Sequence, residues 1–163
     1  MDENEHATGR TKEGTFLAAH VDGPTAILSD VTDGEVLTLS AHPDLTSGDV
    51  IDGTVEAEPP MEATWRLVDI DRRRTIPVEH VDLDPTGQVR EAVEGDAPGT
   101  LARIERAGRG EIHAISVEPG TSADAAEDVV ADAETVARAA RLDVDRVEVR
   151  AGDGVVSVRY LPD

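Results

Sequence analysis

Three aromatic side chains, Phe16, Trp65 and Tyr160, serve a chain of 163 residues that has no cysteine. Any core must therefore be built from Val, Leu, Ile and Ala. Such cores are modest, and the length fits one domain or two small ones, so a two-part fold is expected. The missing cysteines exclude disulfides, thiolate zinc sites, iron–sulfur ligation and cysteine nucleophiles, and they suit a reducing cytosol.

Charge narrows the setting. Asp and Glu number 35 against 15 basic residues, a net of -20, and Lys12 is the only lysine. Self-repulsion of that size strains a compact fold. Concentrated salt relieves it, because at about 1 M the Debye length is roughly 3 Å. Apolar residues make up 39 % of the chain and fall in patterned runs, which argues against disorder. The composition is read as adaptation to a molar-salt cytoplasm, with hydrated salt cations held at the acidic surface. An acidic decoy for a basic partner and a metal-sequestering surface are the alternatives. No apolar run approaches the roughly 18 residues of a membrane span. Residues 1–12 are polar and acidic, so they read as a disordered tail and not as a secretory signal.

The charge is unevenly placed. Residues 1–71 carry 16 acids and 3 bases, residues 72–110 carry 7 of each, and residues 111–163 carry 12 acids and 5 bases. The acidic front alternates over Gly14–His20, Thr25–Val31 and Glu35–Leu39, with turns at Asp22-Gly23-Pro24 and Asp33-Gly34. Asp-Gly between alternating runs marks a hairpin, since Gly accepts the positive φ of tight turns. Runs at 48–55 and 63–70, and one more at 75–79, complete a small β-barrel or sandwich over residues 13–83. Residues 84–110 read as a helical connector, with a helix start at Asp84-Pro85-Thr86 and a second short helix over 98–107. The rear, 111–163, reads as a β-α-β-β domain. Its helix begins at Thr121-Ser122-Ala123-Asp124, runs to Arg141 with a break near Asp132, and precedes a hairpin at Gly152-Asp153-Gly154. The expected fold class is α+β.

The segments Gly14-Thr15-Phe16-Leu17, Glu58-Pro59-Pro60-Met61-Glu62, 105–113, Arg146-Val147-Glu148-Val149-Arg150 and 155–160 resemble a small family of uncharacterised acidic proteins of halophilic archaea. That resemblance covers nearly the whole chain and implies no activity. Separately, Gly48–Val55 resembles the Gly-Asp-Val stretch of small nucleic-acid-binding barrels of the OB type.

Candidate chemistry comes in a few patterns, each with an ordinary structural account beside it. His20-Val21-Asp22, His42-Pro43-Asp44 and His80-Val81-Asp82 space an imidazole and a carboxylate two residues apart, on one face of a strand. Such pairs could bind a divalent metal or relay a proton, and His113, beside Glu111, could join them. Equally, these are surface histidines next to turn acids. Arg72-Arg73-Arg74 is the only basic run, and Arg103, Arg106 and Arg109 recur at a spacing that suggests one helix stripe. Guanidinium groups grip phosphate bidentately, so an RNA contact is one reading and pairing with neighbouring acids the other. Molar salt weakens the electrostatic part of any such contact. Trp65 could stack a base or pack in the core. Arg146, Glu148 and Arg150 share a strand face, with Arg159 across from them, as cross-strand salt bridges do, and a partner-binding arginine ladder is the other reading.

No phosphate loop, dinucleotide fingerprint, nucleophile elbow or His-Glu-x-x-His motif is present, and no cofactor is implied. The sequence therefore points to a non-enzymatic adaptor for a protein or ribonucleoprotein, contacting it through residues 72–109 and Trp65. A metal-dependent enzyme using the His-x-Asp pairs is the alternative.

Overall fold

The alternating runs of the front become β1 (Thr11–Asp22), β2 (Thr25–Asp30), β3 (Val36–Leu39), β4 (Asp49–Ala57) and β5 (Trp65–Thr75). The computed structural model describes residues 10–162. Most of the expected tail, residues 1–9, lies outside the described residues, while Thr11 and Lys12 open β1 instead of ending a tail. β1 pairs antiparallel with β2 on one side and with β4 on the other, and β4 continues into β5. One parallel contact, Leu39 with Trp65, joins β3 to β5 and closes the strands into a ring, in the order β1-β2-β3-β5-β4.

Period-two alternation fills this ring. Phe16, Ala18, Leu28, Leu37, Leu39, Ile51, Val55 and Trp65 point inward and are buried together. Gly53 is inward too, at a shift of the β4–β5 register, where a Cβ would stand 2.2 Å from the Asp69 carbonyl oxygen. Only glycine permits that approach of the two backbones.

The chain divides into two compact units between Thr75 and Ile76. The strand expected near residues 75–79 is β6 (Val78–His80), and it belongs to the second unit, pairing parallel with β9 (Arg146–Gly152). The expected limit of the first domain at residue 83 is corrected accordingly. The helical connector is corrected as well. Thr86 does cap α1 (Gly87–Ala92) by accepting from Val89 N–H, but the helix expected over 98–107 is a strand, β7 (Leu101–Glu105). Alternation of Leu101, Arg103 and Glu105 with Ala102 and Ile104 suits a sheet edge, and β8 (Glu111–Ser116) supplies the partner.

The second sheet has the order β6-β9-β10-β8-β7, where β10 is Val155–Leu161. Asp153 and Gly154 both take positive φ in the two-residue turn between β9 and β10, as a tight hairpin requires. Val89 and Val93 of the α1 region pack with Ile112, Ala114 and Val155. Between β8 and β9 the chain forms α2 (Ser122–Ala131) and α3 (Ala133–Arg141). Thr121 does not cap α2 with its side chain; its hydroxyl donates to the Glu118 carbonyl. Asp132 is extended, ends α2, and caps α3 by accepting from Glu134 N–H. Among the described residues no helix is long and apolar enough to cross a membrane.

Candidate functional site

The metal candidates are dispersed. His20 is exposed on β1. His42 lies in the loop after β3, where its Nδ1 accepts from Leu45 N–H and its Nε2 is 2.7 Å from the Gly23 carbonyl, a structural role in that loop. His80 stands 3.5 Å from Glu127 of α2. Asp22 ends β1, and Asp44 sits in the loop with positive φ. His80 and Asp82 line a common cleft of about 330 Å³. Among the described residues no three His, Cys, Asp or Glu side chains are grouped so as to hold a metal ion.

The two-residue spacing does unite one pair, Glu111 and His113, which neighbour each other on β8 at 3.1 Å. Arg138 of α3 donates from Nε and Nη2 to the same carboxylate, at 3.1 and 2.7 Å. Arg103 lies 3.7 Å from it. Burial pushes the His113 imidazole below its usual range, against the pull of Glu111 and with help from Arg138 and Arg103. Burial would raise the Glu111 carboxyl, but the bonds from Arg138 and His113 outweigh it and hold the group below the usual carboxylate range. The Tyr160 ring meets His113 edge-on at 5.2 Å, and burial pushes its phenol up to about 12. His113, Arg138 and Tyr160, with Leu101, Ile115, Val129 and Val158, line a cleft of about 250 Å³ beside α3.

The arginines divide by environment. Arg73 donates to the buried Asp49 carboxylate at 2.9 Å and to the carbonyls of Pro43 and Asp44, so it ties β5 to the loop before β4. Arg72 stands 3.9 Å from Asp52, and Arg74 lies beside it on β5. Arg103 is on β7. Arg106 bonds to the Arg109 carbonyl and Arg109 to Asp143, so the three form no helix stripe. Trp65 faces the ring interior, and the Arg10 guanidinium lies 5.3 Å from its ring centre. It offers no open face for base stacking.

On the second unit Glu148 is ringed as expected by Arg150, Arg146 and Arg159, at 2.7, 3.3 and 3.6 Å. Missed from the sequence was the outward face of β2 and β3, where Thr25, Ile27, Ser29, Val36 and Thr38 carry no charge. The alternation of those two runs was the signal that could have revealed it.

A family model described as a family of unknown function (DUF5812) matches residues 12–151, a span that includes parts of both units. The chain belongs to that family. No curated protein and no solved structure matches it. The DUF5812 match begins at Lys12 in β1 and ends at Ala151 in β9.

Proposed function

We propose that this chain is a non-enzymatic binding module, an adaptor whose first unit is a small barrel of the OB type that docks a protein partner. The strand order β1-β2-β3-β5-β4 supports the OB reading, since OB barrels bind ligands on the face of strands 2 and 3 and in the flanking loops. The observation that carries the proposal is the uncharged strip on that face. In a chain with 31 % charged residues, Thr25, Ile27, Ser29, Val36 and Thr38 lie together, and Val36 is 65 % exposed. No arginine, lysine or aromatic ring stands on the strip, so it suits a protein surface better than a phosphate backbone. In the arginine-bearing stretch 72–109, Arg72 and Arg103 are separate candidate partner contacts, one on each unit, while Arg73 serves the fold. The acidic surface, holding hydrated cations, fits work in a salt-rich cytoplasm.

The test is crosslinking and affinity recovery from a high-salt lysate, with and without nuclease, for the wild type and for Val36→Glu/Thr38→Glu. The double variant should lose the partner at an unchanged Tm, and nuclease should leave the wild-type recovery intact. Recovery of the same partner by the double variant rejects the strip. Loss on nuclease treatment replaces the protein partner with a ribonucleoprotein.

A further inference from the structure

Among the described residues β7 is an edge strand: β8 pairs with one side of it, and no strand pairs with the other. The Thr100 carbonyl accepts from Ser116 N–H. By the alternation of an antiparallel ladder, Ala102 and Ile104 then also turn their backbone groups toward β8, and Leu101, Arg103 and Glu105 turn theirs outward. Among the described residues no hydrogen bond reaches those outward groups. The side chains of the same three residues are exposed, Leu101 by 52 %. An edge of this kind is a template for another strand.

We propose that β7 pairs antiparallel with β7 of a second copy, about a two-fold axis at Ile104, which joins two five-stranded sheets into one. The outward backbone groups admit only a few registers, and charge chooses among them. Centring on Arg103 sets two arginines directly opposite each other. Centring on Ala102 sets Leu101 against Arg103. Centring on Ile104 sets Arg103 against Glu105, and the two-fold repeats that pair. Opposite charges across a strand pair are favourable and like charges are not. The resulting contact is isologous and closed, so it stops at the dimer. Ile104 meets its copy as a non-hydrogen-bonded pair, with Cα atoms about 4.5 Å apart. It does so on the sheet face where Val89, Val93 and Ile112 already pack, so the apolar layer continues across the axis. Arg103 faces Glu111 of its own chain at 3.7 Å and gains a second carboxylate. Five edge residues bury less than the roughly 1,200 Å² of standard interfaces, so the dimer is weak and concentration-dependent.

The test is sedimentation equilibrium of the full chain over a wide concentration range, at the lowest salt that preserves the far-UV circular dichroism of the fold. The wild type should be a monomer–dimer equilibrium. Arg103→Glu and Glu105→Arg should each raise its dissociation constant by about tenfold or more, since paired charges become opposed ones. The double variant Arg103→Glu/Glu105→Arg, and an equimolar mixture of the two single variants, should restore it. Because the chain has no cysteine, Ile104→Cys gives an independent readout even where a charge variant fails to fold. It should form a disulfide-linked dimer on mild oxidation. Leu101→Cys, about 20 Å from its copy in this register, should not. A wild type that stays monomeric, single reversals that leave the dimer unchanged, or a Leu101→Cys variant that crosslinks as readily as Ile104→Cys would each overturn the proposal.

Discussion

The ammonium of Lys12 lies 3.0 Å from the carboxylate of Asp30, which is 4 % exposed at the end of β2. Asp33 and Glu35 close on the same ammonium at 2.8 and 2.5 Å. Burial alone would lower the Lys12 pKa, but hydrogen bonds to the three acids raise it. A compact ammonium with three rotatable donors suits such a cluster, whereas a planar guanidinium does not. The chain keeps its single lysine where an arginine would fit poorly.

Replacing Lys12 with Met should therefore cost about 2–4 kcal/mol of stability, since a buried carboxylate loses its partner. Lys12→Arg should lose less, about 1 kcal/mol. Urea unfolding of the two variants measures both, and equal midpoints for Lys12→Met and the wild type would reject the account.

Arg73 and Arg72 are neighbours with different duties. Arg73→Gln strips the buried Asp49 of its ion pair and frees the carbonyls of Pro43 and Asp44, so a loss of about 1–3 kcal/mol is expected. The Arg72 ion pair with Asp52 is long and exposed, and losing that pair in Arg72→Gln should cost no more than about 1 kcal/mol. Thermal midpoints of the two single variants separate them.

Acid should loosen the second unit through His113 and Glu111. The folded His113 has a lowered pKa, so the unfolded chain binds the proton more readily. Its contribution is complete above the unfolded pKa, about 6.5, and is lost as pH falls from there toward the folded value. Glu111 is also lowered, so its contribution holds above the unfolded carboxyl value and is lost as pH falls through the folded one. Both act in the same direction. The Tm of the wild type should decline below about pH 6.5, and His113→Gln should flatten the first part of that decline.

Gly53→Ala should destabilise the first unit by about 1–3 kcal/mol, because the methyl group meets backbone and not a side chain that could move. A denaturant midpoint equal to that of the wild type would show that β5 yields.

Salt completes the set. If the 35 acids set the requirement, far-UV circular dichroism should fade on dialysis toward about 0.1 M salt and return near 3 M, as the Debye length shortens from about 10 Å to less than 3 Å. A constant thermal midpoint over that range would leave the acidity to another purpose.

Much of the architecture was legible because it is local. Asp33-Gly34 and Asp153-Gly154 announce turns through backbone sterics alone, and the alternation of Thr25–Asp30 and Val36–Leu39 sorts their side chains into inside and outside. The break at Asp132 was legible for the same reason. What lies beyond it was not: the break resets the helical phase, so Ala137, Ala139 and Ala140 are buried while Ala133 is exposed. The arginine spacing at 103, 106 and 109 misled, since a repeat of three fits a helix by count while Ala102 and Ile104 had a sheet to enter.

Local chemistry in the sequence by itself determined the strands of the ring, the hairpin turns, the capped start of α1 and the pairing of Glu148 with its arginines, because each depends on neighbours within a turn or on adjacent strands. Only the tertiary structure decided that β6 leaves the first unit for the second sheet, that Lys12 grips three acids some twenty residues away, that Arg73 is structural, and that β7 is an open edge. These outcomes depend on which distant segment arrives at a given strand or side chain. Distant segments meet by burying apolar faces, a non-directional force that leaves no mark of its partner in the sequence.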